Sequence, residues 1–271
     1  MTEVDRADYE EWRYQESLPD ERNQLEHAFR LLETYSGIPH DEVEEHVRVL
    51  RDKAWAVFPY PCIGRWRFLN IYLASTPYYP EILQTLKGES GVFIDVGCCF
   101  GQVLRQLVVD GVPSPKLVGI DLRPEFFELG YELFRDQDRP PAKFVAADLL
   151  SGEGGDELNG TASIVHAASV FHLFGWEDQV KLGVRVTKLF RPEGEAVVFG
   201  RQVGNYEPKE LEEHTSLGLK RYFHNPETWQ KLWDEVGNLT GSKWKVDATM
   251  IDWVLGTKMN RPGIRFAVRR Q

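Results

Sequence analysis

Short apolar runs alternate with helical patterns of apolar residues through the second half of the chain. The runs predict strands at Val92–Val96, Leu117–Asp121, Lys143–Ala147, Ser163–Ala168 and Ala196–Gly200. The helical patterns lie at Gln102–Asp110, Pro124–Phe134, Glu177–Leu189 and Thr228–Val236, and a closing antiparallel pair is predicted at Trp244–Ile251 and Ile264–Arg269. Strands that alternate with helices form a parallel sheet covered on both faces. The pattern therefore predicts an α/β fold.

The N-terminal part of the chain has a different pattern. Apolar residues recur there at helical spacing, at Leu25, Phe29 and Leu32 and again at Val43, Val47 and Leu50. They predict two or three helices in residues 1–50, with the first dozen residues loose. Residues 54–80 are rich in aromatic residues and prolines, which is typical of a packed irregular segment or a lid. We therefore expect an N-terminal helical and lid extension over residues 1–80, followed by a single α/β domain over residues 81–271.

Composition and charge narrow the range of partners. The chain has 271 residues, 42% of them hydrophobic, and a formal net charge of -10. This charge argues against general binding to nucleic acid or to an anionic membrane surface. No signal peptide and no apolar run of about 18 residues is visible, so no membrane span is expected. Cys62, Cys98 and Cys99 form neither a disulfide framework nor a metal site, which favours a reducing, cytoplasmic compartment.

A glycine-containing turn follows the first predicted strand, in the sequence Asp95-Val96-Gly97-Cys98-Cys99-Phe100-Gly101. A strand, a turn and a helix N-terminus together present backbone donors to a ligand. The spacing does not match the G-x-G-x-x-G turn of dinucleotide sites. It fits the methyltransferase pattern acidic-x-Gly-x-Gly-x-Gly, except that Cys99 replaces the middle glycine. In that pattern the acid helps to hold the ammonium group at the amino-acid end of the cofactor. A cysteine would be strained there if the position requires positive φ.

Two further acids end successive predicted strands. Asp121 can accept hydrogen bonds from both ribose hydroxyls of a nucleoside cofactor, and Asp148 can accept from an adenine amino group. Either acid alone would more often be a helix cap or a turn residue. Three acids at the carboxyl ends of three successive strands favour a cofactor site, which we extend to the neighbouring Leu122 and Leu149.

These residues resemble those of the class I S-adenosylmethionine-dependent methyltransferases over about residues 91–201. More narrowly, the chain resembles fungal secondary-metabolism methyltransferases, including those that esterify carboxyl groups in meroterpenoid pathways. The resembling stretches are Pro59–Arg65, Gly97–Gln102, Asp121–Phe126, His166–Ser169, Trp176–Gln179 and Gly200–Asn205. The resemblance implies a Rossmann-like, seven-stranded methyltransferase fold and S-adenosylmethionine as cofactor. It also implies that Cys99 belongs to the subgroup's own pattern and that His166 joins the cofactor site.

The motifs that the sequence lacks limit the classes of methyl acceptor that we expect. Enzymes that methylate nucleobase or amide nitrogen often carry an Asn/Asp-Pro-Pro-aromatic turn after the fourth strand, where this chain has His166–Ser169. The Asp/Asn cluster that binds magnesium in catechol-type enzymes is also absent from the sequence. We therefore expect a small-molecule oxygen acceptor and no metal. A homodimer is compatible with the sequence.

Two kinds of oxygen acceptor remain open. For a hydroxyl acceptor, His172 could act as the general base, although it could equally be a packing residue. A carboxylate acceptor is already ionised and would need a cation instead. The candidate cations are Arg65, Arg67, Arg201, Arg221 and His224. We favour the carboxylate because of the family resemblance.

The sequence also bears on two other classes of protein. A nicotinamide-dependent oxidoreductase is disfavoured by the glycine spacing and by the lack of a Tyr-x-x-x-Lys pair after the fourth strand. A non-catalytic, cofactor-binding subunit is compatible with the sequence, because methyl transfer requires few chemical groups.

Overall fold

The structure, a computed structural model, describes residues 13–19, 25–88, 91–212, 220–253 and 261–271. The helices are α1 (Glu26–Thr34), α2 (Val43–Val57), α3 (Pro61–Gly64), α4 (Tyr79–Lys87), α5 (Gln102–Val109), α6 (Glu125–Phe134), α7 (Trp176–Leu189) and α8 (Pro226–Thr240). The strands are β1 (Phe93–Val96), β2 (Leu117–Asp121), β3 (Lys143–Ala146), β4 (Ile164–Ala167), β5 (Val197–Val203), β6 (Lys209–Glu212), β7 (Lys220–Phe223), β8 (Trp244–Trp253) and β9 (Arg261–Arg270). Short 3-10 turns lie at Arg67–Leu69, Leu73–Ser75, Ser114–Lys116, Asp156–Leu158 and Phe171–Leu173.

Seven strands form one sheet in the order β3-β2-β1-β4-β5-β9-β8. Strands β1 to β5 run parallel, and β9 lies antiparallel between β5 and β8. The predicted α/β class and the seven-stranded sheet are confirmed. The strand order reverses direction between β1 and β4, and ligands of open α/β sheets bind outside the carboxyl ends of the strands at such a point.

Most predicted elements begin and end within two residues of the observed ones. Strand β5 is longer than predicted because its pairing with β9 continues as far as Val203 and Gly263. Helix α8 is also longer: Asn225 closes a capping box with Thr228 at its start. Helix α4 and the β6–β7 hairpin were not predicted from the sequence. The predicted loose residues 1–12 lie outside the described part of the chain.

Strand alternation divides the core between the two faces of the sheet. Phe93 packs on the face covered by α4 and α5, whereas its neighbour Ile94 packs on the face covered by α7 and α8. Asp95 therefore points to the same face as Phe93, because side chains two residues apart share a face. The parallel register places Asp95 directly beside His166 of β4.

The N-terminal segment packs against α6. Buried side chains of α1 and α2 share one hydrophobic cluster with Phe126 and Phe134. Residues 54–80 are more regular than predicted: they contain the end of α2, helix α3, two 3-10 turns and the start of α4, joined by short irregular stretches. The boundary predicted between residues 80 and 81 falls in the first turn of α4 and stays a prediction.

Candidate active site

The loop after β1 passes through three left-handed residues, Gly97 at φ +71°, Cys99 at φ +51° and Gly101 at φ +68°. A Cβ at Gly97 would lie 2.6 Å from Cγ2 of Val170, and a Cβ at Gly101 would lie 2.8 Å from the Phe144 ring. Glycine is therefore required at both positions. The positive φ considered for Cys99 is present, so this cysteine occupies a conformation that non-glycine residues rarely adopt.

Asp121 is tied to this loop. The backbone amide of Cys99 donates to its Oδ2 at 2.9 Å, and the amide of Arg123 donates to its Oδ1 at 3.1 Å. Burial raises the pKa of Asp121, and these two hydrogen bonds oppose the rise. Each carboxylate oxygen can accept a further hydrogen bond. The adjacent Leu122 side chain is 54% exposed and offers an apolar surface beside the acid.

Asp148 follows β3 and closes a turn. Its Oδ1 accepts from the backbone amides of Leu150 at 2.9 Å and Ser151 at 3.3 Å. The side chain of Leu149 is buried. Asp148 is thus a turn residue, the alternative that the sequence left open for it. Its second oxygen, Oδ2, accepts neither of these two hydrogen bonds.

A cleft open to solvent lies between the N-terminal segment and the carboxyl edge of the sheet. The predicted site residues that line it are Arg65, Arg67, Asp95, Gly97, Cys98, Cys99, His166 and Arg201. Residues that sequence reasoning did not select also line it, among them Gln15, Pro19, Leu25, Trp66, Phe68, Asn70, Tyr72, Gln102 and Ser169. The aromatic-rich stretch of residues 54–80 was the available signal for three of these: Trp66, Phe68 and Tyr72.

Within the described ranges, the remaining predicted site residues lie outside the walls of this cleft: Gly101, Asp121, Leu122, Asp148, Leu149, His172, Arg221 and His224.

Burial raises the pKa of the Cys98 and Cys99 thiols. Both thiols are therefore neutral at neutral pH and add no charge to the cleft.

Three cleft residues are joined by side-chain hydrogen bonds. Nδ1 of His166 lies 2.7 Å from Oδ1 of Asp95, and Nε2 of His166 lies 2.8 Å from the hydroxyl of Tyr72. Asp95 and His166 are 3% and 2% exposed. Rings of Phe93 and Phe199 pack around the imidazole, which restricts its orientation. The chain of bonds connects β1 and β4 to the N-terminal segment.

The arginines of the cleft concentrate positive charge in an acidic protein. The guanidinium carbon of Arg201 lies 3.7 Å from the centroid of the Tyr72 ring, and Nη2 of Arg201 donates to the carbonyl of Asn70 at 3.4 Å. Burial lowers the pKa of Arg201 to about 10, so the group remains charged at neutral pH. Arg65 is 8% exposed and, like Arg67, contributes to the same cleft.

The other cationic candidates lie elsewhere. Arg221 is on strand β7, opposite Leu211 in the hairpin. His224 is fully buried, and its ring nitrogens lie 3.1 Å from the Thr228 hydroxyl and 3.1 Å from the Gln179 side-chain oxygen. Burial lowers the pKa of His224 to about 3. A neutral, enclosed imidazole cannot supply a cation to an acceptor, so the geometry argues against the assignment of His224 to substrate binding.

His172 lies in the 3-10 turn after β4, half-buried, with its ring 6.4 Å from the Phe223 ring. Its position beside an aromatic ring agrees with a packing role, the alternative to a role as general base.

Across the described segments, no three His, Cys, Asp or Glu side chains come together as a metal ion would require. No helix in the described part of the chain has both the length and the apolar character needed to cross a membrane.

Comparison with known protein families gives two matches that together span most of the cleft. Residues 13–69 match the meroterpenoid methyltransferase N-terminal domain, and residues 93–194 match a methyltransferase domain. The first match contains Arg65 and Arg67, and the second contains the glycine loop with Asp121 and Asp148.

Similar fungal methyltransferases align with most of the chain. The O-methyltransferase phiE of a fungal species is 41% identical over 82% of this chain and 74% of its own length. The asnovolin E/chermesin D methyltransferase nvfJ of Aspergillus novofumigatus is 40% identical over 82% of this chain and 80% of its own length. Among solved structures, the 1,6-didemethyltoxoflavin-N1-methyltransferase of Burkholderia thailandensis, with bound S-adenosylhomocysteine, superposes with a TM-score of 0.54. It is 14% identical and covers 84% of this chain and 90% of its own.

Proposed function

The chain belongs to the family of fungal S-adenosylmethionine-dependent O-methyltransferases of secondary metabolism. From this premise we propose that it methylates a carboxylate on a small acceptor of the terpenoid or meroterpenoid type. The observation that carries the proposal is the group of three arginines, Arg65, Arg67 and Arg201, on one cleft. The protein as a whole carries a net charge of -10, so this local charge runs against its general composition.

The residues around the glycine loop fit the cofactor in shape and chemistry. When bound, S-adenosylmethionine supplies an electrophilic methyl group that an acceptor oxygen takes, leaving S-adenosylhomocysteine. Asp121 would accept from the ribose hydroxyls through the lone pairs that Cys99 and Arg123 leave available. Oδ2 of Asp148 would accept from the adenine amino group, and the exposed Leu122 would pack on the adenine ring.

The arginines suit an anionic acceptor. A guanidinium matches a carboxylate through paired hydrogen bonds, and such bonds are stronger where water is excluded. The carboxylate of the cofactor can form an ion pair with one of these arginines. The remaining two would orient the carboxylate of the acceptor.

The rest of the cleft suits an apolar molecule. Pro19, Leu25, Trp66 and Phe68 line it together with the arginines. A terpenoid body would bury apolar surface against these side chains while its carboxylate meets the arginines. A carboxylate needs no base at neutral pH, so His172 need not reach the cleft.

The experiment is a product analysis with labelled S-adenosylmethionine. The purified chain is incubated with an extract of a meroterpenoid-producing fungus, and with asnovolin E and chermesin D, the compounds named for the relative from Aspergillus novofumigatus. We expect the label in a methyl ester, which alkaline hydrolysis removes. Label that resists alkaline hydrolysis would mean an ether or an N-methyl group and would overturn the carboxylate assignment.

A matched pair of variants tests the role of the arginines. Arg201→Gln should raise the KM for the acceptor about tenfold or more, on the scale of a lost charge-assisted hydrogen bond. Arg139 also stacks on a tyrosine, with its guanidinium 4.6 Å from the Tyr35 ring, but does not line the cleft. Arg139→Gln should leave the KM unchanged. Equal KM values in both variants would remove Arg201 from the acceptor site.

A further inference from the structure

A fully buried ion pair lies beside the glycine loop. It joins Arg105 of α5 to Asp136, just after α6, and both side chains are 0% exposed. Nε and Nη2 of Arg105 donate to the two carboxylate oxygens of Asp136, each across 2.8 Å. Neither residue lines the cleft, so the pair makes no direct contribution to the site.

The third nitrogen of Arg105 holds the loop. Nη1 donates to the backbone carbonyl of Phe100, which lies between the two left-handed residues Cys99 and Gly101. A left-handed cysteine persists only where its surroundings hold the backbone in place. Because a guanidinium is planar and rigid, its two bonds to Asp136 fix the direction in which Nη1 donates. Asp136 thus sets the side from which Arg105 holds the loop.

The same carboxylate binds the N-terminal segment. The hydroxyl of Tyr35, the residue that follows α1, donates to Oδ2 of Asp136 across 2.7 Å. Burial raises the pKa of Tyr35 to about 12, so the residue remains a hydrogen-bond donor at neutral pH. Its ring also meets the Phe134 ring edge-on, and the guanidinium of Arg105 lies 4.4 Å from the centroid of that same ring. Tyr35, Asp136 and Arg105 therefore form one continuous network.

A second contact joins the loop to the N-terminal segment. The side chain of Phe100 is fully buried, and its ring meets the ring of Phe68 edge-on, with the centroids 5.0 Å apart. Phe100 is thus held twice, through its carbonyl by Arg105 and through its ring by the N-terminal segment. A change in the docking of that segment would act on the loop from both sides.

Stability alone does not account for the ion pair. The cost of removing two charges from water offsets most of their attraction, so a buried pair is often no more stabilising than apolar residues of similar volume. A bidentate pair does provide a connection of fixed direction. Here the connection ends at a loop whose residues Gly97, Cys98 and Cys99 line the cleft.

We propose that Arg105 is a positioning residue for the glycine loop, and that the network of Tyr35, Asp136 and Arg105 couples docking of the N-terminal segment to binding of S-adenosylmethionine. The inference rests on the placement of the cofactor over the glycine loop proposed above. Coupling of this kind acts in both directions. A docked segment raises the affinity for the cofactor, and bound cofactor holds the segment in place.

Tyr35→Phe tests the coupling with the smallest change. It removes one hydroxyl and retains the ion pair, whereas loss of the Arg105 charge would leave Asp136 buried and unpaired. Calorimetry should show that S-adenosylhomocysteine binds about fivefold or more weakly than to the parent, the lower end of typical coupling between two sites. Without ligand, nitrogen-15 NMR should show shifted amide signals for Cys99 and Gly101.

The matched control is Tyr79→Phe. The hydroxyl of Tyr79 also donates to an aspartate, Asp110, but at the opposite end of α5 from the glycine loop. This variant should bind S-adenosylhomocysteine as the parent does and leave the loop signals unshifted. If Tyr35→Phe binds as tightly as the control, the coupling is absent. An equal loss of affinity in both variants would reflect a general loss of stability and would equally overturn the proposal.

Arg105→Lys tests the positioning residue itself. Lysine retains the charge beside Asp136 but lacks the planar fork that also reaches the Phe100 carbonyl. We expect this variant to bind S-adenosylhomocysteine more weakly than Tyr35→Phe does. Parent-like affinity would remove Arg105 from the positioning of the loop. If the variant does not fold, the loop signals of Tyr35→Phe decide, and unshifted signals would have the same meaning.

Hydrogen exchange measures the coupling in the reverse direction. Saturating S-adenosylhomocysteine should slow amide exchange in α1 of the parent and of Tyr79→Phe, and should slow it less in Tyr35→Phe. A ligand effect on α1 that is equal in all three proteins would contradict the proposal, because a merely structural role for Tyr35 would alter exchange with and without ligand alike.

Failure of the underlying cofactor placement is distinguishable. Asp121→Ala removes a carboxylate that is bonded to the loop at Cys99. If this variant binds S-adenosylhomocysteine weakly while Tyr35→Phe binds it as the parent does, only the inference about the network is wrong. If neither variant loses affinity, the placement of the cofactor over the glycine loop is wrong as well.

Discussion

The backbone amide of Cys99 donates to Oδ2 of Asp121 across 2.9 Å, which links the loop after β1 to the end of β2. This bond shapes the loop and aligns the carboxylate at the same time. The positive φ of Cys99 is maintained by such contacts, since an isolated cysteine would avoid it.

The first prediction concerns this carboxylate. Asp121→Ala should weaken binding of S-adenosylhomocysteine by about 1–3 kcal/mol, because the ribose hydroxyls lose a charged acceptor. Isothermal calorimetry measures the change directly. Asp178→Asn serves as the control, because Asp178 forms a partly exposed ion pair with Lys181 away from the cleft. An Asp121 variant that binds as tightly as this control would remove Asp121 from the cofactor site.

Much of the fold follows from local sequence pattern. The five parallel strands were visible because buried strands such as Leu117–Asp121 read as short apolar runs bounded by turn residues. The β6–β7 hairpin was missed because Lys209–Glu212 and Lys220–Phe223 consist mostly of polar residues, so no strong alternation marks them. Helix α4 was missed because it begins within a stretch of tyrosines and prolines that suggests irregular structure.

Only part of the site could be predicted, because contacts between segments far apart in the sequence leave no local pattern. Asp95 and His166 are neighbours through the register of β1 and β4, which the strand prediction contained implicitly. Tyr72 joins them from a segment without regular periodicity, and no local pattern encodes a contact across 94 residues. His224 was predicted as a candidate cation for a carboxylate acceptor, whereas tertiary packing encloses it between α7 and α8.

The second prediction follows from the enclosure of His224. Its pKa falls from 6.5 to about 3 in the folded protein, so the unfolded chain binds more protons between these values. The stability that His224 contributes is thus present above pH 6.5 and is lost as pH falls toward 3. From pH 7 to 5 the free energy of unfolding should fall by about 2 kcal/mol through this residue alone.

Urea denaturation at a series of pH values measures this effect. His224→Gln should remove about 2 kcal/mol of the acid-dependent loss between pH 7 and 5, since glutamine does not titrate. His40→Gln is the control, because the side chain of His40 is 87% exposed. Identical pH dependence in the parent and His224→Gln would show that the imidazole is not held neutral.

The third prediction is that methyl transfer requires no divalent metal. Arginines supply the positive charge of the cleft, and the described residues offer no group of acids or histidines arranged for a metal ion. Single-turnover rates should therefore be the same with EDTA and with added magnesium. A rate lost in EDTA and restored by magnesium would contradict the prediction.

The last prediction separates a carboxylate acceptor from a hydroxyl acceptor. A carboxyl group with a pKa near 4 is fully ionised above pH 6, so the single-turnover rate should be nearly flat from about pH 6 to 8. His172→Ala should change that rate by no more than about threefold, because no proton-transfer step depends on it. His40→Ala provides the comparison for an exposed histidine outside the cleft.

A hydroxyl acceptor would give the opposite result. The base must be neutral to take the proton, so the rate would rise through about pH 6.5. His172→Ala would then lose on the order of 100-fold in rate and would abolish the rising limb. Because Arg65, Arg67 and Arg201 favour a carboxylate acceptor, we expect the flat profile in both proteins. In that case the rate is governed by how the arginines hold the acceptor, and Arg201→Gln should lower kcat/KM at every pH without changing the shape of the profile.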